Sequence, residues 1–442
     1  MLQIGFIHVT NENDVNWWPP LAFGSLKAYL SKYLGDDLFT MDRFLQSKDL
    51  YKHDIVAISS TTQDFNQSKR IAYEVKEKNP KAVVVVGGSH ITWLPKTMNQ
   101  APFDFGVIGE GEQTFLEFVR YVMNGKKEED LFKINGLVFN YGEGLIAAPP
   151  RAMIEPLDNI PFPFREPAHT PHLFTSRGCP YKCKFCSSSA FWKTTRFHSA
   201  DYVVDEIEML IGMNASHIPI QDDLFIVDKR RFIDIIEKLK HRGLDKKFTC
   251  SIAVRANLIT DELCAILKDA RPPIISVAFG AESASDRILK LMGKGYPASK
   301  NQDALDKLHE IGMPVGCSLV VGYPSETEDE IRATCDFVSE NAKEGKLDPG
   351  AAINILTPFP GTVVWDEAVE AGIIDLNTFD WDRLGVFASH TASHAGSFDE
   401  WVNIRRRNNS VYLNEDVVPQ ERLYEILREH EIKMKEVKDV RK

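Results

Sequence analysis

Three cysteines lie close together in Ser176-Arg-Gly-Cys179-Pro-Tyr-Lys-Cys183-Lys-Phe-Cys186, spaced C-x3-C-x2-C in a loop that carries glycine and proline. Thiolates this near to one another bind soft metals or iron–sulfur clusters. A zinc site calls for four ligands, and no further cysteine or histidine follows at zinc-finger spacing. His198, the next histidine downstream, reads as a surface residue. A disulfide with a spare thiol suits an oxidising compartment. Cys250, Cys264, Cys317 and Cys335 instead sit singly in apolar patterns, as core fillers of a chain from a reducing cytoplasm. Three ligands to a four-iron cluster leave one iron open, and an open iron can hold a small molecule and pass it an electron.

The loop needs a scaffold, and residues 173–365 repeat strand then helix about six times. The expected strands are Leu173–Ser176, His217–Ile220, Phe248–Val254, Ile274–Phe279, Val315–Val321 and Ala351–Leu356. Such a run predicts a partial (β/α)6 barrel whose site residues gather at the strand C-terminal ends. Those ends carry Gln221-Asp222-Asp223, Arg255 and Asn257, Gly280-Ala-Glu282, Gly322-Tyr-Pro and Thr357-Pro358-Phe-Pro-Gly361.

Residues 1–125 alternate continuous apolar strands (Leu2–His8, Asp54–Ser59, Val83–Val86, Phe105–Ile108) with helices. This pattern predicts a doubly wound parallel sheet, which binds ligands where the strands end. Ser59-Ser-Thr61-Thr-Gln63, Gly87-Gly88-Ser-His90 and Gly109-Glu110-Gly111-Glu112 all fall there. Residues 126–172 read as a hairpin around 140–144 followed by a proline-rich linker, and 366–442 as a polar helical region on the substrate side.

The cysteine loop, with Phe185 before its last cysteine, resembles the signature of radical S-adenosylmethionine (SAM) enzymes, and the front third is similar to the cobalamin-binding domain found ahead of many of them. The resemblance implies that Cys179, Cys183 and Cys186 hold a 4Fe–4S cluster. Its open iron would chelate SAM and cleave it to a 5'-deoxyadenosyl radical. It implies SAM contacts from Phe185, Asp222, Asp223, Arg255, Glu282, Gly322 and Pro358. It also implies cobalamin contacts from Ser59, Thr61, Gln63, Gly87, Gly88, His90, Gly109, Glu110, Gly111 and Glu112. The family's Gly-Gly-Glu after the second barrel strand is replaced here by Gln221-Asp222-Asp223. The loop of residues 10–20 lacks the cobalt-ligating histidine of familiar cobalamin domains, which leaves Gln63 or Asp64 to face that side of the metal. Trp17 and Trp18 either cover the corrin or staple the loop, and His8 reads as a core or edge residue.

The implied activity is C-methylation of an unactivated carbon on a small-molecule or polypeptide substrate, with methylcobalamin as methyl donor and ferredoxin or flavodoxin supplying electrons. Radical oxidation, cyclisation or rearrangement, and a cluster protein that only transfers electrons, are the alternatives. A methylthiotransferase is disfavoured because residues 1–172 contain no cysteine for a second cluster. A net charge of −11 argues against a nucleic-acid partner, and no apolar run reaches the roughly 18 residues of a membrane span. Asp380-Trp381-Asp382, Phe387, His390, His394 and Trp401 are candidates for a substrate pocket. Arg405-Arg-Arg407 either steers an anion or forms a solvated helix face.

Overall fold

The computed structural model describes residues 1–9, 21–165, 171–384 and 397–441. The chain forms two compact units, residues 1–170 with 376–385, and residues 171–375 with 386–442. The 10–20 loop with Trp17 and Trp18 lies outside the described residues, as do Phe387, His390 and His394.

In the first unit, β1 (Leu2–His8), β2 (Phe39–Phe44), β3 (Ile55–Ser59), β4 (Val83–Gly87), β5 (Phe105–Val107), β6 (Leu137–Tyr141) and β7 (Gly144–Ala147) form one sheet. Its order is β2-β1-β3-β4-β5-β6-β7. The run from β2 to β5 is parallel, and β6 and β7 join antiparallel. Val83 to Val86 are all buried; a parallel strand covered by helices on both faces has no side to give to water, hence the unbroken valines. Two segments depart from expectation. The hairpin continues the sheet, with Phe139 opposite Phe105, so the sheet does not stop at residue 125. Residues 376–385 return to this unit. Trp381 is fully buried there, 4.6 Å from the His90 ring and 6.0 Å from Phe65. It is a core residue rather than part of a substrate pocket.

The second unit opens with β8 (Ser176–Arg177), paired antiparallel to β9 (Arg196–Phe197). Its main sheet is parallel: β10 (Cys250–Val254), β11 (Ile274–Glu282), β12 (Val315–Val321) and β13 (Ala352–Ile355). The first two expected strands shrink to single parallel bridges, Leu173 to Ile220 and His217 to Thr249. Backbone bonds from Leu173 to Pro219 (3.1 Å) and from Ile218 to Thr249 (2.8 Å) carry the succession of six on into β10. Burial alternates along β10: Cys250, Ile252 and Val254 are buried in the core, while Ser251 and Ala253 are half-buried on the inner face. Ala278, Gly316, Ser318 and Ala352 continue this run of small inward residues, so the barrel lumen is left open rather than filled by branched side chains.

The helix Gln420–Arg441 packs on Glu328–Lys343 through buried Leu423, Ile426 and Leu427. The Arg332–Glu429 and Arg422–Glu328 pairs at its edge add little, because exposed ion pairs are well screened. Arg405 does not steer an anion. It is buried, with its guanidinium 5.4 Å from the Trp401 ring and its Nε donating to Tyr424 Oη (3.3 Å), and Arg406 pairs with Glu421. Trp401 is likewise core. Among the described residues no helix is long and apolar enough to cross a membrane.

Candidate active site

In the second unit the cysteine loop is fixed at both ends. Gly178 has φ +98°, and a Cβ there would meet the Thr194 carbonyl at 2.5 Å, so only glycine fits the turn into Cys179. Lys184 N–H donates to Met292 O and Val363 N–H to Lys184 O, each at 3.0 Å. Cys179, Cys183 and Cys186 are free thiols, all half-buried. Burial pushes the Cys179 thiol up, with the Asp223 and Cys186 charges adding and Arg255 opposing. Among the described residues no three His, Cys, Asp or Glu side chains converge on a point that would suit a single metal ion. A cluster does not require that, since each cysteine binds a different iron. Three thiols outside any disulfide on one anchored loop therefore fit the cluster's donor set. Phe185 packs from this loop against Ile288, Met292, Val320, Tyr323, Leu356 and Val364.

Arg255 is buried beside the loop, its guanidinium 3.8 Å from the Tyr181 ring and its Nη1 3.6 Å from Cys183 Sγ. Nε donates to Asn257 Oδ1 (2.9 Å) and Nη2 to the Lys294 carbonyl. Much of its donor capacity is thus spent bracing the cysteine loop. Glu282 has φ +63° beside a register shift in β11, and its carboxylate accepts from Lys294 Nζ at 3.0 Å. Lys294 also donates to Gly280 O (2.9 Å). Its burial works against the charge, but Glu282, Tyr296 and Cys183 outweigh this and hold its pKa above the usual lysine value. Lys294 is absent from the residues singled out in the sequence. Its signal was there in Gly293-Lys-Gly295, two glycines with positive φ around one lysine.

The paired aspartates part company. Asp222 is buried and accepts four hydrogen bonds, from the backbone N–H and hydroxyl of Thr175 (2.6 and 2.5 Å) and of Ser176 (3.2 and 2.7 Å). Burial raises its pKa, while these bonds and Arg231 oppose the rise. Its acceptor capacity is spent inside the chain, which corrects the expectation that it contacts a cofactor. Asp223 is exposed and lines a lumen cavity of about 410 Å³ with Ala253, Gly280, Gly316 and Ser318. His198 is buried and stacked on Tyr202 (3.9 Å), not a surface residue.

Gly322 has φ +76° at the end of β12, and a Cβ there would meet Tyr412 Cε2 at 2.7 Å. The N–H groups of Gly322 and Tyr323 donate to Glu326 Oε2 (2.5 and 3.2 Å). Pro358 is buried in the strap after β13. Burial pushes the Glu326 carboxyl up to about 8 against those two donors, and its Oε1 has no partner among the described residues. A folded pKa above the unfolded value of about 4.3 gives stability that is complete below that value and lost as pH rises through 8. Urea denaturation is expected to show stability falling by roughly 3–5 kcal/mol between pH 5 and 9, and Glu326→Gln to flatten that slope. An unchanged slope in the variant refutes the assignment.

In the first unit a cavity of about 160 Å³ lies at the C-terminal ends of β1, β3, β4 and β5. Ser59, Gly87, Gly88, Gly109, Gly111 and Glu112 line it, with Phe6, Ala57, Val85 and Val107 forming apolar wall. A mostly apolar slot with a few polar groups and bare backbone suits a flat heteroaromatic group. Several of the expected contacts, Glu112 among them, are also bonded within the chain or lie away from the cavity. His90 is buried, stacked at 3.8 Å on Phe65 with its Nε2 2.9 Å from Thr97 Oγ1, and burial pushes its pKa down to about 3. It is a core histidine and not a wall of the cavity. Glu112 accepts from Ser25 Oγ (2.7 Å) and Glu110 from Ile154 N–H (3.0 Å). Thr61 Oγ1 donates to Asp64 Oδ2 (2.5 Å), and Asp64 is buried. Gln63 is half-buried and does not line the cavity. His8 ends β1 with its Nδ1 3.1 Å from Ser59 Oγ. Burial pushes its pKa down to about 4, which keeps a neutral imidazole at the cavity's edge.

The radical SAM superfamily matches residues 173–338, and the B12 binding domain matches residues 7–119. An uncharacterized methyltransferase of Pyrococcus horikoshii is 35% identical over 348 residues, which cover 75% of this chain and 72% of that protein. The anaerobic magnesium-protoporphyrin IX monomethyl ester cyclase of Rubrivivax gelatinosus is 29% identical, over 72% of this chain but only 61% of the cyclase. Among solved structures, the radical SAM methyltransferase TsrM of Kitasatospora setae, with cobalamin and a 4Fe–4S cluster bound, matches with a TM-score of 0.73 at 16% identity. That match covers 99% of this chain and 89% of TsrM, a likeness of fold. With both family domains in one chain and a relative aligned over most of its length, the chain belongs to the cobalamin-dependent radical SAM methyltransferases, an enzyme family whose cofactors are a 4Fe–4S cluster, SAM and cobalamin.

Proposed function

We propose that the protein is a C-methyltransferase that places a methyl group on an unactivated carbon of a small-molecule or polypeptide substrate. The observation that best supports this is the pairing, in one chain, of an anchored three-thiol loop with a slot at the strand ends of a B12-type sheet. When bound, the cluster with SAM supplies a radical that removes hydrogen from carbon, and cobalamin supplies the methyl group. The chain's own residues bind and orient. Arg255 sets its guanidinium 3.6 Å from Cys183 Sγ, and Lys294, on which Arg255 is braced, is paired with Glu282 beside it. Asp223 offers a carboxylate to the lumen, where it suits the ammonium group of SAM. Small residues on β10 to β13 keep the lumen open to a substrate. A low-potential one-electron donor such as ferredoxin or flavodoxin completes the reaction.

Radical cyclisation without methyl transfer is the second reading, favoured by the identity to the Rubrivivax cyclase. A test independent of substrate separates the two. Anaerobically reconstituted protein is given SAM, a strong reductant and cob(I)alamin, and both nucleoside products are quantified. Formation of S-adenosylhomocysteine that depends on cobalamin supports methyl transfer. 5'-Deoxyadenosine alone supports the second reading, and neither product overturns both.

A further inference from the structure

We infer that Asp222 is a positioning residue for the cysteine loop, holding the strand that delivers the three thiols while Asp223 alone of the pair faces ligand. Successive residues of an extended chain point to opposite sides, and here Gln221 and Asp223 are exposed while Asp222 is buried. The strand that enters the loop is weak. Ahead of Ser176 the ladder is a single bridge at Leu173, and β8 itself is two residues long. Side chains replace the missing ladder. Asp222 takes both N–H groups and both hydroxyls of Thr175 and Ser176. Arg231 closes the other side, its Nη2 donating to Thr175 O and its Nε to His198 O, each at 2.7 Å. His198 N–H also donates to Thr175 O (3.0 Å). The backbone two residues before Gly178 is thus held between an anion and a cation, and Gly178 is locked against Thr194. Groups that orient metal ligands from behind matter nearly as much to a metal site as the ligands themselves. A buried carboxylate is costly unless donors surround it, so its presence here calls for a task at this strand.

The inference rests on the cluster and not on methyl transfer, and its test reads the cluster directly. Full-length protein with cobalamin bound is reconstituted anaerobically as the parent, Asp222→Ala, Asp222→Asn and the double variant Thr175→Val/Ser176→Ala. Iron per chain, bound corrinoid and the electron paramagnetic resonance spectrum of the reduced cluster with and without SAM are measured. Asp222→Ala is expected to keep the parental corrinoid content while the SAM-induced spectral change falls at least about fivefold. Asp222→Asn is expected to restore most of it, because an amide oxygen still accepts both N–H groups. Parental iron and spectra in Asp222→Ala would overturn the inference. Should Asp222→Ala also lose corrinoid, the double variant decides. A weakened cluster signal with parental corrinoid supports the inference, and a parental signal overturns it.

Discussion

Replacing Cys183 with alanine is expected to abolish cleavage of SAM while cobalamin stays bound. The thiol lies on a loop, half-buried, with its Sγ 3.6 Å from Arg255 Nη1. Its loss would remove one of the three proposed cluster ligands while leaving the hydrophobic core of either unit untouched. 5'-Deoxyadenosine formation should fall by at least about three orders of magnitude, because no side chain in the lumen can replace an electron donor to SAM. Alanine at Cys179 or Cys186 should do the same. Cys335 gives the contrast. It is buried in the core, with burial pushing its thiol up to about 12. Cys335→Ala should cost roughly 1–2 kcal/mol of stability and leave iron and cleavage at parental levels. Iron analysis, a cleavage assay and a melting curve on each variant suffice. Full cleavage by Cys183→Ala would remove the loop from the chemistry.

The thiol loop was legible because its information is local: residue type and spacing name the chemistry before any fold is known. The parallel sheet and the strand–helix succession were legible for a similar reason, since strands buried on both faces read as runs such as Val83–Val86. What stayed hidden depends on which way a side chain points. Asp222 and Asp223 are equivalent in the sequence, yet one is spent on Thr175 and Ser176 while the other faces the lumen. His90 follows two glycines that border the cavity, but one turn of helix sends its ring into the core against Phe65 and Trp381. Lys294 escaped notice because an isolated lysine between glycines looks like a surface turn until Glu282 is seen beneath it. Edge strand β2, Phe39–Phe44, escaped because alternation at a sheet edge is a weak pattern beside the charged stretch that follows. Residues 376–385 were assigned with the chain around them, and their packing on the first unit depends on contacts nearly 300 positions away in sequence.

Gly87→Leu should lose cobalamin and keep, or even gain, stability. The two neighbouring glycines on the cavity differ in what a side chain would meet. At Gly88, φ is +102° and a Cβ would run into the Ser60 carbonyl, so any substitution there strains the backbone and a loss of cobalamin would say nothing about the slot. At Gly87 the backbone is ordinary and a Cβ would sit 3.7 Å from Val107 Cβ, in normal contact. A leucine side chain could therefore extend into the cavity of about 160 Å³ without forcing the strand to move. Filling an apolar cavity commonly stabilises a fold by about 0.5–2 kcal/mol. The same filling takes the space that a cofactor's heteroaromatic tail would need. Corrinoid affinity should then fall by roughly a hundredfold, or about 2.7 kcal/mol, measured by equilibrium dialysis with cobalamin, while the melting temperature holds or rises. The opposite signs matter, because a variant that merely unfolds loses both. Parental affinity in a stable Gly87→Leu protein would mean that the tail does not enter between β3, β4 and β5. The cavity would then be a packing void, and the cobalamin contacts would have to be sought outside Ser59, Gly87 and Gly88.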